Sequence, residues 1–240
     1  MNDRHLDRET YCRQVEAYLC RKNDGHLIRI VGPAFERVCG WATRGVPFNV
    51  ACRGVDRYFE RYYAKGPRRR PVRIEFCEAD VLDVFDEWRR AVGVSRAADA
   101  EGEGGPAEPV ARMRASLPSH LDRVIARLTA LRAGGDRSLD EAIEAAVREI
   151  DAARAGAPQL RGATRQALLD RLRALDEGLL RAARASCEAA SLAALAVDAD
   201  AELAPFRDRL PPDAYARSRE ACIDRLVRER WRLPTVTYEP

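Results

Sequence analysis

Apolar side chains recur at spacings of three and four residues along almost the whole chain, the pattern of amphipathic α-helices. One such stripe runs from Phe48 to Tyr62, and another runs from Leu168 to Leu179 with close to a seven-residue repeat. Glycine and proline punctuate the stripes: Gly45 suits the end of one helix and Pro47 the start of the next. The exception is the apolar segment 26–31, which could be a short strand or a buried connector. The sequence therefore predicts an all-α protein.

A segment of small, acidic and glycine residues divides the chain. Residues 94–109 contain almost nothing that could pack, which predicts a flexible linker. Before it, residues 1–93 are predicted to form a small basic helical domain whose first nine residues are frayed. After it, residues 110–240 are rich in Ala, Leu, Arg and Glu, which predicts an antiparallel helical bundle. An extended tail follows the bundle, because a helix cannot continue through Pro234.

Within this bundle the sequence makes two local predictions. Ser138 and Glu141 have the spacing of a capping box, so a helix should open at Ser138. A long helix should begin near Thr164 and continue through a stripe of small residues as far as Ala196. Small residues there would permit close approach of a neighbouring helix.

The net charge is too small to attract polyanions to the whole chain. Lys and Arg total 41 and Asp and Glu total 38, so the formal net charge is +3. Residues 1–98 hold 19 basic and 14 acidic residues, whereas residues 99–240 hold 22 and 24. Any anion-binding surface should therefore be local and should lie in the first half.

The seven cysteines are odd in number, widely spaced and without a C-x-x-C pair, and no signal peptide precedes them. This usage favours a reducing, cytoplasmic location. Cys12, Cys20, Cys39 and His26 could converge on a metal, but small buried thiols on helix faces are the commoner use of such residues. We therefore predict no metal and no cofactor. No apolar run approaches the ~20 residues that span a bilayer, so no membrane association is expected.

The sequence lacks the motifs of common catalytic sites. It contains no phosphate-binding glycine loop, no H-E-x-x-H and no G-x-S-x-G, and only three histidines. Four carboxylates in the helix after residue 77 are predicted to form its solvated outer face: Asp80, Asp83, Asp86 and Glu87. We predict no catalytic residues and no enzymatic activity.

The most basic segment is the connector, residues 65–73. It cannot be helical through its prolines, and it carries five positive charges: Lys65, Arg68, Arg69, Arg70 and Arg73. Guanidinium groups bind phosphate oxygens bidentately, and a proline-stiffened loop loses less entropy on docking. Neighbouring Tyr62, Tyr63 and Phe76 could stack on bases if exposed. The alternative is that the arginines pair with the acidic face of the following helix and close the domain on itself.

Two segments, Trp41–Pro47 and Val84–Val94, resemble the carboxy-terminal helical domain of DnaD-type primosomal proteins. In that family a tryptophan-bearing helix, a glycine turn and a second helix lead to a final helix that ends in tryptophan and then glycine. The resemblance covers residues 33–94 and implies DNA binding and helicase loading at replication origins. The family's tyrosine, isoleucine and tryptophan fall here on Asp80, Val84 and Trp88, of which Asp80 departs from the pattern.

The function predicted from these features is a DNA-associated adaptor that is not an enzyme. The connector would contact nucleic-acid phosphates, with Trp88 as a further contact, and the bundle would bind a protein partner or itself. The alternative is a helical protein-interaction scaffold that oligomerises and does not bind nucleic acid.

Overall fold

The computed structural model describes residues 3–64, 66, 71–94, 116–131, 137–154 and 156–238, with the side chains of 3–7 and 158 left out. Every regular element within these ranges is helical, which confirms the all-α prediction. The α-helices of the described residues are α1 (Asp3–Lys22), α2 (Pro33–Arg44), α3 (Phe48–Tyr63), α4 (Glu78–Val92), α5 (Leu117–Thr129), α6 (Arg137–Arg154), α7 (Gly162–Ala185), α8 (Ala189–Leu203) and α9 (Pro212–Trp231). Short 3₁₀ turns lie at Ile74–Phe76, Ala157–Gln159 and Ala204–Phe206.

The chain forms two compact units. Unit 1 comprises Met1–Gly102 and Asp198–Cys222, and unit 2 comprises Glu103–Val197 and Ile223–Pro240. The sequence had grouped residues 198–222 with the carboxy-terminal bundle, whereas here they pack against the helices of unit 1. Of the predicted linker, Val94 is buried and residues 95–109 lie outside the described residues.

In unit 1 the turn between α2 and α3 follows the sequence prediction. Gly45 adopts a left-handed conformation (φ 80°), and the N–H groups of Gly45 and Val46 donate to the carbonyls of Ala42 and Trp41. This is the double hydrogen bond of a glycine helix end. Pro47 then precedes α3 in an extended conformation, so the predicted stop and restart is confirmed.

Two local predictions for the amino-terminal region are wrong. Residues 3–9 belong to α1 rather than to a frayed end. Residues 26–31 form neither a strand nor a buried connector: Ile30 is buried, but Leu27 and Val31 are 78% and 67% exposed.

In unit 2, α6 packs against both α5 and α7. The helix α6 begins at Arg137, so Ser138 lies inside its first turn and the predicted capping box is wrong. The predicted long helix is also interrupted, because α7 ends at Ala185 and α8 begins at Ala189. At the break, the Ser186 hydroxyl and the Ser186 N–H both donate to the Ala182 carbonyl (3.0 Å each).

The carboxy-terminal tail, residues 232–238, is anchored in unit 2. The chain leaves the helical conformation after Trp231, and Leu233, Pro234 and Val236 are buried. Asp176 of α7 accepts hydrogen bonds from the Val236 N–H (2.7 Å) and from Arg228 of α9 (3.2 and 2.5 Å).

Candidate nucleic-acid interface

The carboxyl end of the connector is held to the end of α1. Asn23 is buried, and its Nδ2 donates to the carbonyl oxygens of Leu19 (2.9 Å) and Val72 (3.1 Å). In return, the Val72 N–H donates to Asn23 Oδ1 (2.7 Å). One side chain thus pairs both backbone groups of Val72. The sequence suggested Asn23 only as part of a helix stop, because nothing local indicates a partner 49 residues away.

Of the predicted contacts in the connector, Arg73 lies within the described residues, and its side chain is exposed. Its backbone is extended (φ −91°, ψ 153°), and its neighbours Val72 and Ile74 are both buried. Since successive side chains point in opposite directions in extended backbone, burial of the two neighbours directs Arg73 towards solvent. The other predicted contacts, Lys65 and Arg68 to Arg70, lie outside the described residues.

The acidic side of α4 is only in part the solvated face that the sequence predicted, because Asp83 is exposed but Asp80 is buried. Asp80 is 3% exposed and pairs with Arg61 of α3 at 2.7 Å. Glu87 accepts two hydrogen bonds from Arg57 (3.0 and 2.5 Å). Hydrogen bonding to Glu87 is the main cause that raises the pKa of Arg57 above its usual value. The prediction failed because Gly54 lets α3 approach α4 closely enough for its arginines to reach these carboxylates.

Two further carboxylates of this segment also have guanidinium partners. Glu78 pairs with Arg37 of α2, and Asp86 pairs with Arg89 one helical turn further along α4. Four acidic residues near the connector are therefore matched by arginines of the helices themselves.

Aromatic rings of α3 and the following 3₁₀ turn form a layered cluster, called the ring stack below and consisting of Tyr58, Tyr62 and Phe76. The Tyr58 ring lies 5.7 Å from Tyr62 at an interplanar angle of 23°, and 6.4 Å from Phe76 at 13°. Phe76 is 57% exposed, and Tyr63, packed edge-on against Tyr62, is 43% exposed. Burial raises the pKa of the Tyr58 phenol above its usual value, so this ring stays neutral.

Trp88 lies in the core of unit 1 rather than on a surface. It is 2% exposed, its Nε1–H donates to Glu202 Oε2 (2.7 Å), and its ring packs against Phe85 and Phe206. No ring face remains for a base, so we remove Trp88 from the set of nucleic-acid contacts. Its partners on α8 and beyond could not be predicted, since Glu202 is 114 residues away.

The cysteines suggested as metal ligands do not converge. No group of three or more His, Cys, Asp or Glu side chains that could hold a metal occurs among the described residues. The Ile28 N–H donates to Cys20 Sγ (3.3 Å), and all seven cysteines are free thiols. Burial raises the pKa of Cys12 to about 11 and the pKa values of Cys52 and Cys77 to about 12, so these thiols stay protonated.

Within the described ranges, no helix combines the length and the apolar character needed to cross a membrane.

Comparisons with family models, with curated proteins and with solved structures found no match to this chain. The DnaD-type resemblance therefore depends only on the short segments quoted above. In the structure Asp80, Val84 and Trp88, the positions of that family's motif, are all buried. A nucleic-acid surface on unit 1 would have to use other residues.

Proposed function

We propose that this protein is a DNA-associated adaptor that binds nucleic-acid phosphates through the connector between α3 and α4. The residues that contact phosphates are Lys65, Arg68, Arg69, Arg70 and Arg73. Their role is binding and not catalysis. The observation that carries this proposal is the pairing of Glu78, Asp80, Asp86 and Glu87 with arginines of α2, α3 and α4. The helix arginines thus give this acidic side partners other than the connector.

Two further features support the proposal. The Asn23 amide tethers the connector at Val72, so fewer conformations are lost when the segment docks. Exposed Tyr63 and Phe76 flank the connector in the sequence, and aromatic rings beside basic groups are typical of nucleic-acid surfaces. A role in replication, such as assisting helicase loading, is the part of the proposal that comes from the DnaD-type resemblance.

The test is fluorescence anisotropy with labelled single- and double-stranded DNA over a range of salt concentrations. Replacing Arg68, Arg69 and Arg70 by alanine should weaken binding and make the log K against log salt slope shallower by about 2 to 3, since three phosphate contacts are lost. The matched control replaces three exposed arginines of unit 2: Arg123, Arg127 and Arg148. No affinity at low salt, or an equal loss in the control, would refute the proposal.

A scaffold that oligomerises through its carboxy-terminal helices is the second candidate, and one observation favours it. The helix α8 presents exposed apolar residues at successive turns: Ala189, Ala190, Ala193, Ala194 and Val197. Light scattering distinguishes the two functions. A stable oligomer without DNA affinity, which dissociates when Ala193 and Val197 are replaced by glutamate, would establish the scaffold.

A further inference from the structure

We infer that the ring stack makes this surface select single-stranded over double-stranded nucleic acid, with an unpaired base stacking on Phe76. The inference rests on the proposed function, because it takes the connector as the phosphate-binding part. It adds the form of nucleic acid and a residue that recognises it.

The geometry of the rings supplies the first argument. Phe76, Tyr58 and Tyr62 are nearly parallel, with interplanar angles of 13° and 23° between neighbours. Phe76 ends the series and is 57% exposed, whereas Tyr58 and Tyr62 are half-buried. A planar base added at Phe76 would continue an existing stack.

The exposure of Phe76 is a consequence of the local backbone. In the 3₁₀ turn Ile74–Phe76, the N–H groups of Phe76 and Cys77 donate to the carbonyls of Arg73 (3.2 Å) and Ile74 (3.0 Å). Ile74 and Cys77 are buried and anchor the turn, which leaves Phe76 outside. The backbone at Phe76 is therefore fixed before any ligand arrives, and the entropy of ordering it has already been lost on folding.

Charge separates the part that takes bases from the part that takes phosphates. Arg73 is exposed immediately before the turn, whereas Glu75 beside Phe76 is an exposed acid. A carboxylate next to the ring repels phosphate but not a neutral base. The Arg61 guanidinium, 5.6 Å from the Tyr58 ring centroid, lies over the inner part of the stack. The backbone of a bound strand should therefore run past Arg73, with a base directed to Phe76.

Base stacking on a protein ring requires a free base face. In a duplex both faces of each internal base are covered by neighbouring pairs, whereas single strands can present unstacked bases. Stacking on one aromatic side chain changes affinity by about 5-fold to 140-fold per base. Aliphatic exposed residues such as Leu27 have no planar face to offer.

The experiment compares four labelled probes of equal length at low salt: oligothymidine, oligoadenine, an abasic single strand and a DNA duplex. The variants are Phe76→Ala and Phe76→Leu, the second of which keeps an apolar side chain without a plane. The matched control is Leu27→Ala, another exposed apolar residue of unit 1. Since both sites are exposed, circular dichroism should show unchanged helicity.

The original chain should bind the base-bearing strands more tightly than the abasic strand or the duplex. Both Phe76 variants should lose about 5-fold to 140-fold on the base-bearing strands and little on the other two probes. Equal affinity for abasic and base-bearing strands, or full binding by Phe76→Leu, would overturn the inference while leaving phosphate binding intact. Absence of binding to every probe would overturn the proposed function as well.

Discussion

Gly54 lies where α3 closely approaches Val81 of α4. A Cβ atom at this position would lie 2.4 Å from Val81 Cα and 2.7 Å from Val81 N, both of them backbone atoms that cannot rotate away. The two helices can therefore approach this closely only with glycine at residue 54. This approach brings Arg57 and Arg61 within reach of Glu87 and Asp80, so one missing side chain positions two ion pairs.

Gly54→Ala should destabilise the protein by about 1 to 3 kcal/mol, because the added methyl group forces α3 and α4 apart. Urea denaturation followed by circular dichroism measures the loss. The control is Gly40→Ala in α2, where a Cβ would meet nothing within 4 Å and helix propensity predicts a gain of up to about 1 kcal/mol. Equal effects of the two substitutions would show that the tight contact is not as described.

At the scale of the element, the carboxy-terminal tail depends on α7 for its position. Asp176 is 10% exposed at its side chain and binds both Arg228 of α9 and the backbone of Val236. His120 of α5 adds a hydrogen bond between its Nε2 and the Val236 carbonyl oxygen (3.0 Å). A segment with no regular structure of its own is thus held by side chains from two helices, α5 and α7.

Asp176→Asn should release this tail and destabilise unit 2 by about 1 to 3 kcal/mol, since Arg228, whose side chain is 18% exposed, would lose its charged partner. Limited trypsin digestion reports the release, because cleavage after exposed Arg232 should become faster. Asp213→Asn serves as the control: Asp213 is 79% exposed in an i, i+4 pair with Arg217, and such pairs contribute little. Unchanged cleavage in the Asp176 variant would contradict the proposed anchoring.

At the scale of the whole molecule, unit 1 is built from two distant parts of the chain. The ring of Trp88 is covered by Phe206, and its N–H is satisfied by Glu202, both from the second part. The Glu202 carboxylate, 3% exposed, also accepts a hydrogen bond from Cys222 Sγ (3.4 Å). Residues 1–94 alone would therefore lack the groups that bury Trp88.

We expect a fragment of residues 1–94 to show a longer emission wavelength for Trp88 and a lower urea midpoint than the full chain. Trp41→Phe, and Trp231→Phe in the full chain, leave Trp88 as the only tryptophan, since the protein has three, and its emission is read with excitation that tyrosine does not absorb. Adding a peptide of residues 198–222 should shift the emission back. A fragment whose emission matches that of the full chain would show that residues 1–94 bury Trp88 unaided.

Most of the helices could be predicted from the sequence, because the signals that specify them are local. Apolar spacing placed the stripes, and Gly45 with Pro47 marked a turn, since backbone conformation and nearest-turn packing depend on a few adjacent residues. Local signals failed at one point: the stripe through Ala182 and Ala193 predicted one helix, but α7 ends at Ala185 and α8 begins at Ala189.

Only the tertiary structure decided which face each helix buries and which residues meet. The sequence predicted that Asp80 is solvated, but Asp80 pairs with Arg61 of α3. It also predicted that Trp88 can contact nucleic acid, but Phe206 packs against its ring and Glu202 accepts a hydrogen bond from its N–H. From the sequence, base stacking on Phe76 could be predicted only if its ring were exposed. The sequence could not show that it is, because the exposure depends on the residues that surround the 3₁₀ turn. These contacts join residues far apart in the chain, and their energy comes from desolvation and close packing that no local pattern encodes.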